Sequence, residues 1–363
     1  MKTLLSISRY IVGILFIFSG LVKANDPVGL SYKMQEFFEV WQLHALNQFS
    51  LSFSILMIAF EIIAGVAVII GWRFRLFSWL LLLLIIFFSF LTGYAVLSGK
   101  IRECGCFGNC IKLTAMDSFI KDILLLVLIL FLFVNRKLVT SSIAKNTAAA
   151  LLTVVTILSF GMQWWVLNHL PLVDCLPYKI GNNIIEERKI PKDAIPDSTV
   201  ISFVYTKEGK EIEFDSDHFP ADFNDSIYQF VKRYDKVVRK GNAEPPIKDF
   251  VLIDAENNDS TEAILTAPGK LLILFSQGWK DSWKSDIMEL EKLAGDKNIR
   301  LIISTASAER AREQVPVTVM KSDLVAIKTA ARTDPTLFLL EGGTIKGKWA
   351  YADFEKAFLE LKK

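Results

Sequence analysis

Cysteine is scarce, four in 363 residues, which is too few for a scaffold built on disulfides. An excess of one charge is missing as well: 41 lysines and arginines face 39 aspartates and glutamates, for a net charge of +2 at pH 7. That balance gives no footprint for nucleic acid or an acidic substrate, so the basic residues are better read for topology. There is no internal repeat and no low-complexity tract. Polar surface is short too. The chain is 52% hydrophobic with a mean hydropathy of +0.36, too apolar for an ordinary soluble protein.

That apolarity sits in the first half. Five segments are long enough to cross about 30 Å of hydrocarbon at roughly 1.5 Å per residue: near 7 to 23, 51 to 70, 76 to 98, 118 to 134 and 147 to 167. The third contains FSWLLLLLIIFFSFLTGYAVL and the fourth DILLLVLILFLFV, apolar on every face. The first, MKTLLSISRYIVGILFIFSGLVKA, also reads as a signal peptide ending near Ala24, and both alternatives stand. Lys2, Arg9, Arg73, Arg75, Arg136, Lys137 and Lys145 fall on one set of connections, which puts the N-terminus in the cytoplasm. The longer connections, 24 to 50 and 99 to 117, and everything after about residue 168 then lie outside. Trp164 and Trp165 read as an interfacial belt.

The predicted organisation is a four-span bundle over 1–140, a fifth transmembrane helix over 141–168, a polar connector over 169–247 and a soluble α/β domain over 248–363. The connector holds a predicted hairpin in TVISFVYTKEGKEIEF, turning at Glu208-Gly209. NAEPPIKDF marks the boundary. Beyond it FVLI, KLLILFS, SDIMELEKLAG, RLIIST, SDLVAIKTAA, PTLFLLEGGTIKGKW and ADFEKAFLELKK alternate strand and helix, ending in a hairpin and a last helix.

LLILFSQGWKDSWKSDIMEL resembles the active-site segment of thioredoxin-like proteins, in which a buried strand ends in a Trp-Cys-x-x-Cys turn at a helix N-terminus. Phe275 and Trp279 match the strand end and the pre-cysteine position. Lys280 and Trp283 stand where the two cysteines would be, so this domain forms no thiolate and runs no thiol exchange. TDPTLFLLEGGTIKGKW resembles the cis-proline strand and hairpin of that fold, with Pro335 in the proline position. The resemblance implies a partner-binding groove around Trp279, Lys280, Trp283 and Pro335; a plain structural domain with a turn proline is the competing reading.

The first four spans resemble the DoxX family and the loop its MauE relatives, the methylamine-utilisation membrane proteins associated with redox maturation. GILFIFSGLVKANDPVGLSYKMQEFF, AFEIIAGVAVIIG and CGCFG at 104 to 108 carry the likeness. With a degenerate thioredoxin-like tail, the arrangement looks like the DoxX-type membrane proteins of Bacteroidetes. The resemblance implies an accessory role in disulfide formation or delivery of reducing equivalents.

RECGCFGNC, residues 102 to 110, gathers Cys104, Cys106 and Cys110, and Cys175 follows the last span. All four thiols are therefore expected in one compartment, the periplasm of a bacterial inner-membrane protein, where disulfides persist or exchange. Gly105 and Gly108 allow a tight backbone, and Arg102 and Lys112 favour thiolate. Pairing of Cys104 with Cys106, of Cys106 with Cys110, or of the loop with Cys175 is open. So is the use of the thiols: a staple between spans, a relay with a periplasmic client or thiol partner, or a Cu or Zn site helped by His44, His169 or His218. Glu61, mid-span, costs at least about 2.5 kcal/mol at that depth and calls for a partner, with Lys23, Lys121 and Asp122 as candidates. It reads either as a proton or quinone site beneath the loop or as a packing device. Expected partners are membrane lipid and a client protein.

Overall fold

In the computed structural model, residues 2–362 are described apart from 102–104, 106–107, 109, 112, 197, 240 and 242. The first half is a bundle of α1 (Lys2–Ala24), α2 (Pro27–Val40), α3 (Ser50–Ile70), α4 (Phe74–Ser98), α5 (Ala115–Val134) and α6 (Lys145–Asn168). Four stretches are long and apolar enough to cross a membrane: Thr3–Ala24, His44–Ile70, Phe74–Ser98 and Lys145–Asn168. The expected fourth span, α5, departs from this composition because Asp117, Lys121 and Asp122 fall in its first turns. Its 20 residues are nevertheless about 30 Å of helix, and it runs antiparallel beside α4. Thr92 meets Asp122 near one end of that pair, and Trp79 meets Phe133 near the other.

The helices share two ends. At one, Arg9 donates to the carbonyls of Val68 and Ile69 at 3.2 and 2.7 Å, and Ser142 N–H donates to Ile70 O. At the other, the side chain of Asn25 exchanges hydrogen bonds with the backbone of Val173 at 2.8 and 2.9 Å. The connection 24 to 50 is more than a loop: Asp26 caps α2 by accepting from Gly29 N–H at 2.8 Å, with Pro27 fixed at the first helical position.

After α6 come the short α7 (Ile184–Glu187), then β1 (Ser198–Lys207), β2 (Lys210–Asp215) and β3 (Gln229–Arg239). β1 and β2 form the expected hairpin, with Lys207 opposite Lys210 around Glu208-Gly209. The segment predicted as connector goes further, because β3 adds to the free edge of β1 and closes an antiparallel sheet ordered β2-β1-β3. Tyr205, Phe214, Phe219, Phe223 and Tyr228 pack on one another over it.

The last part holds α8 (Thr261–Leu265), β4 (Lys270–Ser276), α9 (Lys284–Asp296), β5 (Arg300–Thr305), α10 (Ala308–Gln314), β6 (Thr318–Lys321), α11 (Leu324–Ala330), β7 (Thr336–Glu341), β8 (Thr344–Ala350) and α12 (Phe354–Lys362). The sheet order is β6-β5-β4-β7-β8. β4, β5 and β6 are parallel, and β7 and β8 antiparallel. The run LLILF on β4 is buried on both faces. One face packs against α9, α10 and α12. The other packs against Tyr178, Ile184, Ile247 and Phe250, so residues that read as connector complete this domain's core. FVLI is not a strand; apart from an isolated bridge at Ile253, it enters the core as coil through Phe250 and Leu252.

Candidate functional site

Cys110, between α4 and α5, and Cys175, seven residues beyond α6, form a disulfide with a Cα–Cα distance of 4.9 Å. Of the expected pairings, the structure contains the one between the loop and Cys175. Cys104, Cys106, Arg102 and Lys112 lie outside the described residues. Gly105 and Gly108 both have positive φ, 66° and 58°, and Gly108 N–H donates to Gly105 O at 3.0 Å, a turn that L side chains resist.

Beneath this turn is a cavity of about 490 Å³ between α2, α3 and α4. Phe37, Trp41, Met57, Phe60 and Leu91 are among its apolar walls, Gly105 belongs to its rim, and Lys23 and Thr92 bring polar atoms. Size and lining suit a small-molecule site: mostly apolar, with few polar groups.

Lys23 also reaches inward. Its Nζ lies 2.6 Å from Glu61 Oε1, with side-chain exposures of 3% and 1%, so both charges are out of water and matched. Ser19 Oγ donates to Glu61 Oε2 at 2.9 Å. A second pair, Lys121 Nζ to Asp122 Oδ1 at 2.9 Å, lies across a small cavity, and Thr92 Oγ1 donates to Asp122 Oδ2 at 3.1 Å. That cavity, about 20 Å³, exceeds the roughly 10–15 Å³ that one water needs. Of the three candidate partners, Lys23 is the one bonded to Glu61; Lys121 and Asp122 pair with each other.

The soluble domain rests on the same end of the bundle. Arg332 Nε donates to both Asp26 oxygens at 3.0 and 2.9 Å, a pair with side-chain exposures of 6% and 8%. Tyr32 of α2 lies under Lys328 and Arg332, whose charges are 5.0 and 5.5 Å from its ring. Gln277 Nε2 donates to Tyr32 Oη at 3.5 Å, and burial pushes the Tyr32 hydroxyl up to about 12. Lys348 donates to Asp174 at 2.8 Å, beside Cys175. His169, stacked on Trp165, bonds Asp353 through Nδ1 at 2.8 Å.

The contact uses the end of the sheet where the expected groove lies. Gln277 N–H donates to Asp334 Oδ1 at 2.9 Å, and the Asp334–Pro335 bond is cis. The four residues of that expected groove differ in exposure. Trp279 and Trp283 are 6% and 3% exposed and belong to the core against α9, because this turn carries two indoles that gain more from burial than from water. Pro335 is buried too, leaving Lys280 as the exposed member, its charge 5.1 Å from the Trp283 ring.

The sequence alone assigns no role at the site to Asp26, Tyr32 or Arg332. Asp26-Pro27 is a helix-start signature that would have found α2, but nothing local announces that Asp26 also receives an arginine 306 residues away. Among the described residues no cluster of three His, Cys, Asp or Glu suits a metal. His169 and His218 each bond an aspartate.

Comparison with known proteins adds two family matches. Residues 1–135 match the family described as Methylamine utilisation protein MauE, so the membrane half is MauE-like. Residues 194–240 match a family described as a domain of unknown function, DUF8463, the stretch that forms the sheet β2-β1-β3. No curated protein and no solved structure matches the chain.

Proposed function

We propose that this membrane protein, with its MauE-like bundle, is an accessory factor of thiol–disulfide chemistry. It passes two electrons from a client polypeptide to a lipid-soluble acceptor of the quinone class. The observation that carries the reading is the Cys110–Cys175 disulfide, which joins the cysteine loop to the chain entering the soluble domain, above a large apolar cavity with Gly105 at its rim.

The balance closes in three steps. A client thiolate attacks the Cys110–Cys175 bond, and a second client thiol resolves the mixed disulfide, leaving an oxidised client and two reduced cysteines. These in turn reduce a Cys104–Cys106 disulfide and re-form their own bond. The Cys104/Cys106 dithiol then gives two electrons and two protons to the acceptor, producing a disulfide and a quinol. In this reading Lys23, which lines that cavity and is bonded to Glu61, hands protons to and from the acceptor's oxygens, with Lys121–Asp122 behind it on the wall of the small neighbouring cavity, since buried ionisable groups inside a membrane commonly serve proton transfer.

The thioredoxin-like reading of the tail is supported by its sheet order β6-β5-β4-β7-β8. With Lys280 and Trp283 in the cysteine positions, the tail orients the assembly and leaves the chemistry to the loop. The location that fits is a bacterial inner membrane with the N-terminus in the cytoplasm and the thiols in the periplasm, because Arg73, Arg75, Arg136 and Lys137 gather at the opposite end.

Single replacement of Cys104, Cys106 and Cys110 by serine tests the reading. At least one variant should accumulate a mixed disulfide with a client on non-reducing gels, and no adduct in any of them would overturn it. A second reading, a membrane adaptor whose cysteines only staple, draws on the buried Arg332–Asp26 pair and the Lys348–Asp174 pair beside the disulfide. It predicts loss of stability without adducts.

A further inference from the structure

The two sulfurs of the disulfide have different surroundings. A cleft of about 310 Å³ lies between α2 and α11, and Cys175 forms part of its wall whereas Cys110 does not. Lys33, Glu36 and Glu39 line it from α2, Lys328 from α11 and Arg332 from just beyond that helix. Three of these charges are in ion pairs, Lys33 with Glu36 and Arg332 with Asp26, and Lys328 also lies over the Tyr32 ring. At the rim, Val325 is 70% exposed, an apolar contact left to water. The Glu39 carboxylate on one wall and the Lys328 ammonium on the other, an apolar rim and a sulfur in the wall together suit a cysteine-bearing extended polypeptide.

We infer that the client lies in this cleft and that its thiolate attacks Cys175, making Cys110 the leaving sulfur; this rests on the relay reading. One bond forms between the client sulfur and Cys175 Sγ, and the Cys175–Cys110 bond breaks with its electron pair going to Cys110. The client's thiol proton goes to solvent on ionisation. The Cys110 thiolate then appears four residues from Cys106 and six from Cys104 along the chain, where the next exchange takes place. The cleft therefore gives the relay a direction, in at Cys175 and out through Cys110. A small thiol gains nothing from the cleft, and the exposed Cys110 is open to it from solvent.

The test uses the full chain in lipid vesicles with Cys104 and Cys106 replaced by serine, so that one disulfide remains. A short peptide with a single cysteine is added, the reaction is quenched early with acid, free thiols are alkylated and the products are mapped by mass spectrometry. The peptide should be on Cys175 with Cys110 alkylated, several-fold above the reverse. Val325→Trp, at an exposed rim position, should slow the peptide several-fold and leave reduction by dithiothreitol unchanged. Peptide on Cys110, or a peptide rate indifferent to Val325→Trp, overturns the assignment while the relay stands. A disulfide that neither peptide nor dithiothreitol opens in the folded protein sinks the relay itself.

Discussion

Glu61 and Lys23 make each other tolerable. Buried singly, either charge would cost several kcal/mol; as a pair at 2.6 Å, with Ser19 on the second oxygen, most of that cost is offset. Glu61→Leu should therefore destabilise the protein by roughly 3–5 kcal/mol, because Lys23 is left charged and unmatched, whereas Lys23→Met with Glu61→Leu should recover most of the loss. Thermal unfolding in detergent of both variants measures this, and a double variant no better than the single one would contradict it. Asp353 gives a pH signature outside the membrane. Burial raises its carboxyl, but hydrogen bonds from Lys356 and His169 outweigh that and leave it below its usual range. A lowered folded value means stability that is present above the ordinary carboxylate pKa and lost as pH falls through the lowered one. Asp353→Asn should thus cost about 1 kcal/mol at neutral pH and nothing in strong acid, read from unfolding midpoints across pH.

Among the elements, α1 and α3 cross closest. A Cβ on Gly13 would sit 2.3 Å from Ile69 Cγ1 and 2.8 Å from Gly65 O, and one on Gly65 would sit 2.7 Å from Gly13 O. Backbone meets backbone here, as membrane helices do where both present small residues. Gly65→Val should force the helices apart at a cost of about 1–3 kcal/mol, whereas Gly161→Ala, with open space around it, should be silent in the same detergent melt. How well the chain could be read follows the same local logic. The long helices, the Glu208-Gly209 hairpin and the strands KLLILFS and RLIIST were legible because their periodicity is uninterrupted. β3, QFVKRYDKVVR, was not: charges occupy both faces of an edge strand, and its place is set by pairing with β1. FVLI looked like a strand because buried coil and buried strand share one composition. Glu61 stood out alone in an apolar run, and Lys23 was within one helix end of it. The cavity and the Arg332–Asp26 contact are products of tertiary packing and leave no trace in spacing.

The whole molecule is two halves held by a covalent tie and by buried charge pairs at one end of the bundle. Asp26 serves both, capping α2 and receiving Arg332, so docking and the order of α2 are linked. Arg332→Ala should raise amide hydrogen exchange in α2 and α11 while β4 and β5 stay protected; unchanged exchange in α2 would mean that the contact contributes nothing. What the two halves do together depends on whether the disulfide between them turns over. Differential alkylation of the four cysteines in cells, with wild type beside Cys104→Ser and Cys106→Ser, reads this directly. The account predicts a Cys110–Cys175 pair that is largely oxidised in wild type and accumulates reduced when either loop cysteine is removed. A pair that stays fully oxidised in all three proteins would contradict it.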